Sequence, residues 1–466
     1  MIPGVIEPGG DVATLLYIAA FSLFIYGLMQ GTHPRTAKTG NLIAAGGMAV
    51  AVITTLLLDG VGNWGVILGG LFVGSAIGVI ASVRVQMTEM PQMVALYNGV
   101  GGGAVALIAW AEFRHAPANF ELDSFIPILF AAVVGSVSFW GSNIAFAKLQ
   151  DLIPTRPIAV PGQQFINGLL LLGLIVACVV LASSDDPSEG LFIALLIGAA
   201  ALGNLVVLPI GGADMPVVIS LLNAFTGLSA AAAGFALDNV ALIVAGTLVG
   251  SSGTILTLEM ANAMNRSVPN ILFAGFGGAP AAGAGSGEER PHTSIGPQDA
   301  AIKLAYADNV VIVPGYGLAV AQAQHAVKEM ADELEKRGVN VNYAIHPVAG
   351  RMPGHMNVLL AEADVPYEKL REMEDINPEM PRTDVAVVIG ANDVTNPAAK
   401  NDPNSPIAGM PIIEVHEAKE VIVIKRSLSP GFAGIDNDLF YEPNTSMLFG
   451  DAKAAAAEIA AEIPNL

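Results

Sequence analysis

The chain has 466 residues, of which 53% are hydrophobic and 13% are charged, about half the charged fraction of an average soluble protein. This composition excludes a disordered chain and disfavours an ordinary soluble enzyme. A single cysteine excludes a disulfide framework, a cysteine-based zinc site and a dithiol redox pair, and the net charge of −20 disfavours nucleic acid as a partner.

Nine apolar runs dominate the first part of the chain. Each is about 20 residues long, the length that a helix needs to cross a bilayer. A soluble protein with nine buried core helices of this length is a poor alternative. The first run lacks the basic residues that begin a signal peptide, so we interpret it as a retained span. We therefore predict nine transmembrane helices, at residues 12–30, 40–58, 62–83, 92–111, 125–147, 163–182, 190–209, 215–236 and 239–261.

The loops between these runs predict an orientation. One set of alternate loops contains six basic residues, and the other set contains only Arg114. Basic residues accumulate in cytoplasmic loops. We therefore expect the N-terminus outside and the C-terminal part in the cytoplasm. The six basic residues are Arg35, Lys38, Arg84, Lys148, Arg156 and Arg266.

The composition changes after residue 266. Residues 1–266 contain 14 acidic and 7 basic residues, whereas residues 267–466 contain 27 and 14. We predict a transmembrane domain at 1–266, a flexible linker rich in Gly, Ala, Ser and Pro at 267–298, and one compact domain at 299–466.

Strand and helix patterns alternate in residues 299–466. This alternation predicts a doubly wound parallel α/β sheet of the Rossmann-like type, following a polytopic α-helical membrane domain. The predicted strands are Val310–Val313, Val341–Ile345, Val385–Ile389, Pro411–Val415 and Val421–Ile424, and the predicted helices are Leu318–Arg337 and Met356–Ala363.

A dinucleotide fingerprint follows the first of these strands. Gly315, Gly317 and Val320 form a G-x-G-x-x-V pattern, whose glycines let the backbone turn tightly beside a pyrophosphate. A tight turn without a ligand fits the same residues. Further Gly-rich loops at Val348–Gly354, Gly390–Val394 and Gly431–Gly434 are better explained together by close backbone approach to a ligand than as three plain turns.

The residues after the strands favour NADP over NAD. No carboxylate follows the second strand, where an NAD site usually has one for the ribose 2′-hydroxyl. Lys425, Arg426 and Ser427 follow the strand Val421–Ile424 and suit a 2′-phosphate through charge-assisted hydrogen bonds. A solvated basic pair is the plain alternative.

Polar residues are sparse in the predicted spans and are therefore candidates for function. Asn223 lies on one stripe with Ser220 and Gly227, and a glycine stripe around Gly250 marks the last span. An interhelical hydrogen bond and close helix packing are the plain alternatives. None of the seven histidines falls inside a predicted span.

The chain resembles one family over essentially its whole length: the β subunit of proton-translocating NAD(P)⁺ transhydrogenase. The segments that carry the resemblance are TEMPQMV (Thr88–Val94), ADMPVVISLLNAF (Ala213–Phe225), GTLVGSSGTIL (Gly246–Leu256), PGYGLAVAQAQH (Pro314–His325), HPVAGRMPGHMNVLLAEA (His346–Ala363), GANDVTNPAA (Gly390–Ala399), SPIAGMP (Ser405–Pro411), KRSLSPGFAG (Lys425–Gly434) and LFGDAK (Leu448–Lys453).

The resemblance implies hydride transfer from NADH to NADP⁺ with inward proton movement, by a Re/Si-specific enzyme of the bacterial inner membrane. This chain would bind NADP(H) and form most of the proton channel. An α-type partner subunit would bind NAD(H) and supply the remaining spans, so the chain alone would be inactive. A dimer of protomers is expected, and no metal.

The resemblance also implies roles for individual residues. Asp393 and Asn223 are implied in catalysis, Asp393 as the acid that links nucleotide state to protonation, and Gly431–Gly434 matches a lid. The implied NADP(H) contacts are Gly315, Tyr316, Gly317, Val320, Val348, Ala349, Gly350, Arg351, Met352, Pro353, Gly390, Ala391, Asn392, Asp393, Val394, Gly409, Met410, Lys425, Arg426, Ser427, Leu428, Ser429, Pro430, Gly431, Phe432, Asp451 and Ala452.

For the proton path the candidates are Glu89, Asn98, Asp214, Asn223 and Gly250. Asn98 stands where some members of the family have a relay histidine, and it cannot titrate near neutral pH. Members without that histidine tend to have one in a span of the partner subunit. Glu89 and Asp214 also fit solvated or ion-paired loop residues.

Two other classes of membrane protein fit less well. A nucleotide-gated channel would need broken half-helices or rings of carboxylates. A quinone-reducing dehydrogenase would need flavin, haem or iron–sulfur ligands, which one cysteine and spans without histidine do not offer.

Overall fold

The computed structural model describes residues 6–7, 10–32, 34–115, 122–155, 157–184, 186–212, 214–265, 267–273, 290–351, 354–403, 405, 407–431 and 433–466. Within them, nine helices are long and apolar enough to cross a membrane, which confirms the predicted spans with ends that differ by a few residues. They are α1 (Asp11–Gly31), α2 (Pro34–Leu57), α3 (Trp64–Arg84), α4 (Met90–His115), α5 (Leu122–Leu149), α6 (Gln163–Ala182), α7 (Glu189–Val207), α8 (Met215–Ala236) and α9 (Val240–Ala263).

Glycines set the closest contacts between these helices. A Cβ on Gly246 of α9 would lie 2.6 Å from the carbonyl oxygen of Gly227 on α8. A Cβ on Gly102 of α4 would lie 2.9 Å from the carbonyl oxygen of Gly135 on α5. Small residues let helix backbones approach in a membrane, where no hydrophobic force drives helices together. The α4–α5 and α8–α9 pairs depend on this approach, whereas α3 buries none of its residues.

One basic residue differs from its predicted place in a loop. Lys148 lies in the last turn of α5 and is completely buried. Its Nζ donates to the carbonyl oxygens of Leu208 (2.5 Å) and Ile210 (2.7 Å), just beyond the C-terminus of α7. A buried ammonium needs such partners. Lys148 therefore joins the ends of two helices and is not a solvated loop charge.

The C-terminal part is a seven-stranded parallel sheet covered by helices. Its strands are β1 (Thr293–Ser294), β2 (Asn309–Pro314), β3 (Asn340–Ile345), β4 (Leu370–Glu372), β5 (Val385–Ile389), β6 (Glu420–Lys425) and β7 (Thr445–Phe449). The remaining helices are α10 (Val268–Phe273), α11 (Pro297–Ala305), α12 (Tyr316–Val320), α13 (Gln324–Lys336), α14 (His355–Glu362), α15 (Met373–Ile376), α16 (Ala398–Asn401) and α17 (Ala452–Glu462). Together with the nine spans, this sheet confirms the predicted fold class.

The order of the strands places the candidate site. Across the sheet they run β1-β7-β6-β5-β2-β3-β4, and every pairing is parallel. From β4 to β7 this is the dinucleotide-binding order, with β1 added at one edge. Chain order reverses between β2 and β5. In open α/β sheets, ligands bind at the carboxyl ends of the strands at such a point.

The predicted strand Pro411–Val415 is wrong. Two of its backbone groups bond to the side chain of Asn377, at Ile412 and Glu414, and the Ile413 N–H donates to the Val394 carbonyl. Since β5 and β6 pair with each other, no gap in the sheet is left between them for another strand. The short strands β1, β4 and β7 were not predicted.

The predicted helix Leu318–Arg337 is interrupted. The Ala323 N–H donates to the Leu318 carbonyl and the Gln322 N–H to the Ala319 carbonyl, with Gln322 at φ +48°. This is a Schellman ending. It divides the segment into α12 and α13 without a glycine, the usual sequence signal.

Parts of the predicted linker have regular structure. Helix α10 lies at its start, and β1 pairs with β7 through Thr293–Ser446 and Ser294–Met447. The α/β fold thus begins before residue 299. The sequence between α10 and residue 290 lies outside the described residues.

Candidate functional site

Two glycine loops meet at the point where strand order reverses. The Gly315 N–H donates to the Ile389 carbonyl (2.9 Å) and the Gly317 N–H to the Gly390 carbonyl (2.9 Å). A Cβ on Gly315 would run into the backbone of Ala391, and Gly390 has φ +66°. Glycine is therefore required at both positions. The fingerprint after β2 and the loop after β5 form one continuous backbone surface.

The loop after β3 is held by His346, to which no role was assigned from the sequence. His346 is 1% exposed, and its Nδ1 accepts the Val348 N–H (3.2 Å). Its Nε2 must then donate to the Pro411 carbonyl (2.8 Å). Burial lowers the pKa of His346, which keeps the ring neutral. His346 thus connects two predicted cofactor segments, Val348–Arg351 and Gly409–Met410.

A second histidine fixes Arg351. The Arg351 N–H donates to Nδ1 of His355 (3.1 Å), and the Arg351 guanidinium lies 4.6 Å from the centre of the Tyr316 ring. Burial, together with the Arg351 charge, lowers the pKa of His355 to about 4. Gly350 has φ +108° and lies so close to the His355 ring that a side chain would not fit. Met352 and Pro353, also predicted contacts, lie outside the described residues.

Asp393 connects the loop after β5 to the predicted lid. Its Oδ2 accepts the Ala433 N–H (2.9 Å), and a Cβ on Gly431 would lie 2.8 Å from its Cγ. Asn437, which was not predicted, donates from Nδ2 to the carbonyl (3.1 Å) and side-chain oxygen (3.0 Å) of Asn392. The segment after Lys425 is thereby held over the loop Gly390–Val394. Phe432 lies outside the described residues.

The basic segment folds back on itself at the end of β6. Nζ of Lys425 donates to the Ser429 carbonyl and lies 5.0 Å from the centre of the Phe440 ring. The Ser427 and Ser429 hydroxyls are 2.9 Å apart. Burial lowers the pKa of Lys425, against the opposing effect of the Asp393 and Asp436 carboxylates. Arg426 is exposed to solvent, so this turn presents a guanidinium and two hydroxyls at a strand end.

The remaining predicted contacts lie at two neighbouring loops. Gly409 (φ +74°) and Met410 line an open groove of about 530 Å³ beside α16. Asp451 accepts the N–H groups of Lys453 (3.0 Å) and Ala454 (3.3 Å), so it is the N-cap of α17. The Gly450 N–H donates to the Lys425 carbonyl (3.1 Å). This hydrogen bond brings Asp451 and Ala452 next to the basic turn.

A polar network crosses three of the membrane helices. Nδ2 of Asn98 donates to Oγ of Ser142 (2.8 Å) and lies 3.3 Å from Oγ of Ser138. Ser138 also donates to the Leu222 carbonyl (2.9 Å) and lies 2.6 Å from the Thr226 hydroxyl. The two serines were not predicted, although their i, i+4 spacing on α5 was visible in the sequence.

The other predicted proton-path residues lie on α8 and α9 or just before α4 and α8. Asn223 is partly buried on α8, one residue from Leu222. Gly250 packs against Leu228, which a Cβ on it would meet at 3.0 Å. Glu89 accepts the Gln86 N–H (3.3 Å) in a short turn before α4, and Asp214 precedes α8.

Comparison with known proteins agrees with this architecture. The family model described as "NAD(P) transhydrogenase beta subunit" matches residues 13–462. The chain belongs to that family. Two curated relatives from Rhodospirillum rubrum, one of them from a specified strain, both have the name "NAD(P) transhydrogenase subunit beta". Each is 49% identical over 452 residues, which cover 95% of this chain and 97% of the relative.

Membership of the family establishes the general activity. The chain is the beta subunit of an NAD(P) transhydrogenase, a multi-pass membrane protein whose family name implies an alpha subunit as partner, and its proton-translocating role follows from the family. No cluster of potential metal ligands is found among the residues for which the structure gives positions.

Proposed function

We propose that this chain binds NADP(H) at the carboxyl ends of β2, β5 and β6. The observation that carries the proposal is the backbone contact of Gly315 and Gly317 with the Gly390 loop, at the point of strand reversal. The adjoining turn of Lys425, Arg426 and Ser427 supplies donors suited to a 2′-phosphate. Apart from Gly409 and Met410, the predicted contacts among the described residues lie at or just after the carboxyl ends of β2, β3, β5, β6 and β7.

Local features of the site fit such a ligand. Nδ2 of Asn392 is buried at the strand reversal and has no hydrogen-bond partner within the described part of the chain. A buried donor without an acceptor costs about 1–3 kcal/mol. An oxygen of a bound nucleotide would satisfy it. The glycine-to-glycine contact leaves the backbone free of side chains where a pyrophosphate would approach.

In this proposal the chain's own residues bind the nucleotide, orient its nicotinamide ring and shield it from water. When bound, NADP(H) supplies a nicotinamide ring that accepts or gives a hydride. His346 and Asn437 hold the loops in register, and the segment after Lys425 excludes water. The Asp393 carboxylate holds the Ala433 N–H, so its protonation would loosen the predicted lid. We therefore propose that protonation of Asp393 is coupled to the binding and release of the nucleotide.

We further propose the arrangement of the assembly. The partner alpha subunit holds NAD(H), is required for turnover and contributes the remaining spans. One alpha subunit and this chain form a protomer, and two protomers form a dimer. Hydride transfer in this assembly is Re/Si-specific. The spans lie in a bacterial inner membrane, with the α/β domain in the cytoplasm. Residues 1–266 act as the membrane domain, and the nucleotide domain, predicted at 299–466, begins earlier, at β1.

For the proton we propose a route along the buried network of Asn98, Ser138, Ser142 and Thr226. Its hydroxyls can pass a proton by exchanging donor and acceptor roles, whereas Asn98 cannot titrate. Asn223 and Gly250 line the same helices, and Glu89 and Asp214 stand at the cytoplasmic ends. The titrating group inside the membrane is then contributed by the partner subunit.

Nucleotide preference tests the proposed site. In the full complex, we expect Lys425→Gln with Arg426→Gln to weaken NADPH binding about tenfold or more, because hydrogen bonds to charged groups are lost. NADH binding to the alpha subunit should not change. The matched control is Lys419→Gln with Arg382→Gln, which precede β6 and β5 at the amino ends of the strands. Unchanged NADPH affinity in the first pair would refute the 2′-phosphate assignment.

A further inference from the structure

A small cavity separates the membrane helices from the nucleotide loops. It has a volume of about 210 Å³. From the membrane side it is lined by Glu89, Gln92 and Asp151, and from the α/β side by Tyr316 and Arg351. Together with Val320, three residues of the proposed nucleotide site thus face the ends of α4 and α5.

The contact across this cavity is made by Arg351. Its Nη1 donates to the carbonyl oxygen of Leu149 (2.6 Å), the last residue of α5. The same oxygen accepts Nε2 of Gln92 on α4 (3.3 Å). Carbonyls at a helix C-terminus lack intrahelical partners and carry a partial negative charge, so they attract a guanidinium.

We infer that Arg351 is a positioning residue with two alternative partners, the C-terminus of α5 and the phosphates of NADP(H). The inference rests on the proposed nucleotide site. The Leu149 carbonyl offers a neutral acceptor with a partial charge, whereas a phosphate offers full negative charge and forms stronger, charge-assisted hydrogen bonds. Bound NADP(H) therefore draws Arg351 from α5 and weakens docking of the α/β part on the membrane helices.

Helix α5 connects this contact to the polar network. Ser138 and Ser142, which bond to Asn98, lie on the same helix as Lys148 and Leu149. Lys148 fastens the end of α5 to the end of α7. A change at the network that shifts α5 moves the acceptor of Arg351. By linkage, docking must lower NADP(H) affinity as much as NADP(H) lowers docking.

A second contact offers a readout that does not involve the nucleotide. Nε2 of Gln322, at the Schellman ending after α12, donates to Oε1 of Gln86 before α4 (2.7 Å). Both side chains are exposed. The natural Cys178 can be replaced by serine, which leaves cysteines at 86 and 322 as the only thiols of this chain. A short bis-maleimide suits this pair, because the amides meet at the tips of long side chains.

The experiment measures the rate of cross-linking between Gln86→Cys and Gln322→Cys in membrane vesicles containing the alpha subunit. We expect NADP⁺ or NADPH to slow it about tenfold, and Arg351→Gln to slow it to a similar extent without nucleotide, since each removes a hydrogen bond of a charged group. NAD⁺ should have no effect. Arg337→Gln is the matched control, because Arg337 also donates to a backbone carbonyl, that of Ile463, away from this cavity.

The outcomes separate the two proposals. NADPH binding is followed in the same vesicles by its fluorescence. If NADPH binds but cross-linking keeps its rate, or if Arg351→Gln cross-links as fast as Arg337→Gln, the inference is overturned. If NADPH does not bind, the proposed nucleotide site is wrong, while the Arg351→Gln comparison without nucleotide still decides whether Arg351 supports docking.

Discussion

At the scale of single residues, the neutral state of His355 controls the backbone of Arg351. The Arg351 N–H can donate to Nδ1 only while that nitrogen is unprotonated. Burial disfavours the imidazolium, and the Arg351 charge adds to this effect, so the folded pKa is about 4, against 6.5 for an unperturbed histidine. A depressed pKa contributes stability that is complete above pH 6.5 and is lost as the pH falls toward 4.

We therefore expect the Arg351 amide to lose hydrogen-exchange protection between pH 6.5 and 4, after correction for intrinsic exchange. His355→Gln retains a side-chain acceptor that cannot titrate in this range, so its protection should vary much less with pH. His325→Gln, at an exposed position on α13, serves as the control and should behave like the natural chain. Constant protection down to pH 4 in the natural chain would contradict this account.

The sequence indicated the types of site residue better than their partners. The glycines after β2 and β5 and the Lys425-Arg426-Ser427 turn were recognisable because their chemistry is local. His346, His355 and Asn437 were not assigned roles. His346 and Asn437 bond to backbone groups that the fold brings near, whereas His355 accepts the nearby Arg351 N–H and depends on the local turn. Arg351 was expected among the nucleotide contacts, but its bond to Leu149 joins residues 202 positions apart.

At the scale of elements, the α8–α9 pair depends on glycine. A side chain at Gly246 would meet the Gly227 carbonyl and the backbone of Ala231, which cannot move without separating the helices. We expect Gly246→Val to destabilise the membrane part by about 1–3 kcal/mol or more, as overpacking of a tight core does. Thermal unfolding in detergent measures this.

The control for this substitution lies on α3. A Cβ on Gly70 meets nothing within 4 Å among the described residues. Gly70→Val makes the same chemical change in the same solvent without a packed neighbour. Its unfolding temperature should equal that of the natural chain. Equal losses in the two variants would mean that glycine content, and not the α8–α9 contact, determines the stability.

Elements were predictable where their signal is internal. Nine spans followed from composition alone, and β2, β5 and β6 from runs of buried Val and Ile, whereas β3 has only Val341 and Ile345 of these types. Strand β7 reads TSMLF and lacks such a run, and it is defined by its pairing with β6. The stretch Pro411–Val415 has the apolar signal of a strand but does not pair in the sheet. The Asn377 side chain bonds to its backbone groups instead.

At the scale of the whole molecule, the nine candidate spans among the described residues predict that the two ends of the chain lie on opposite sides of the membrane. The excess of basic residues in one set of loops predicts which side is cytoplasmic. Lys148 contributes less to this excess than the sequence implied, because it is buried against Leu208 and Ile210. Arg84 lies in the last turn of α3, at the end for which a cytoplasmic location is predicted.

We expect single cysteines in a Cys178→Ser background to report this orientation. Tyr306→Cys, 76% exposed in the α/β part, should react with an impermeant maleimide in inverted vesicles and not in intact spheroplasts. Ser184→Cys, exposed between α6 and α7, should show the opposite pattern. The same accessibility for both residues in either preparation would exclude an odd number of crossings between them.

The covalent connection from α10 to β1 gives weak contacts a large effect. Since both units belong to one polypeptide, their meeting is unimolecular, and a short connection gives an effective concentration on the order of millimolar. Three solvent-accessible hydrogen bonds, from Arg351, Gln322 and Asn265, can then keep the surfaces together for part of the time and still release them quickly. The same α/β domain, added as a separate polypeptide at micromolar concentration, should seldom dock on the membrane helices.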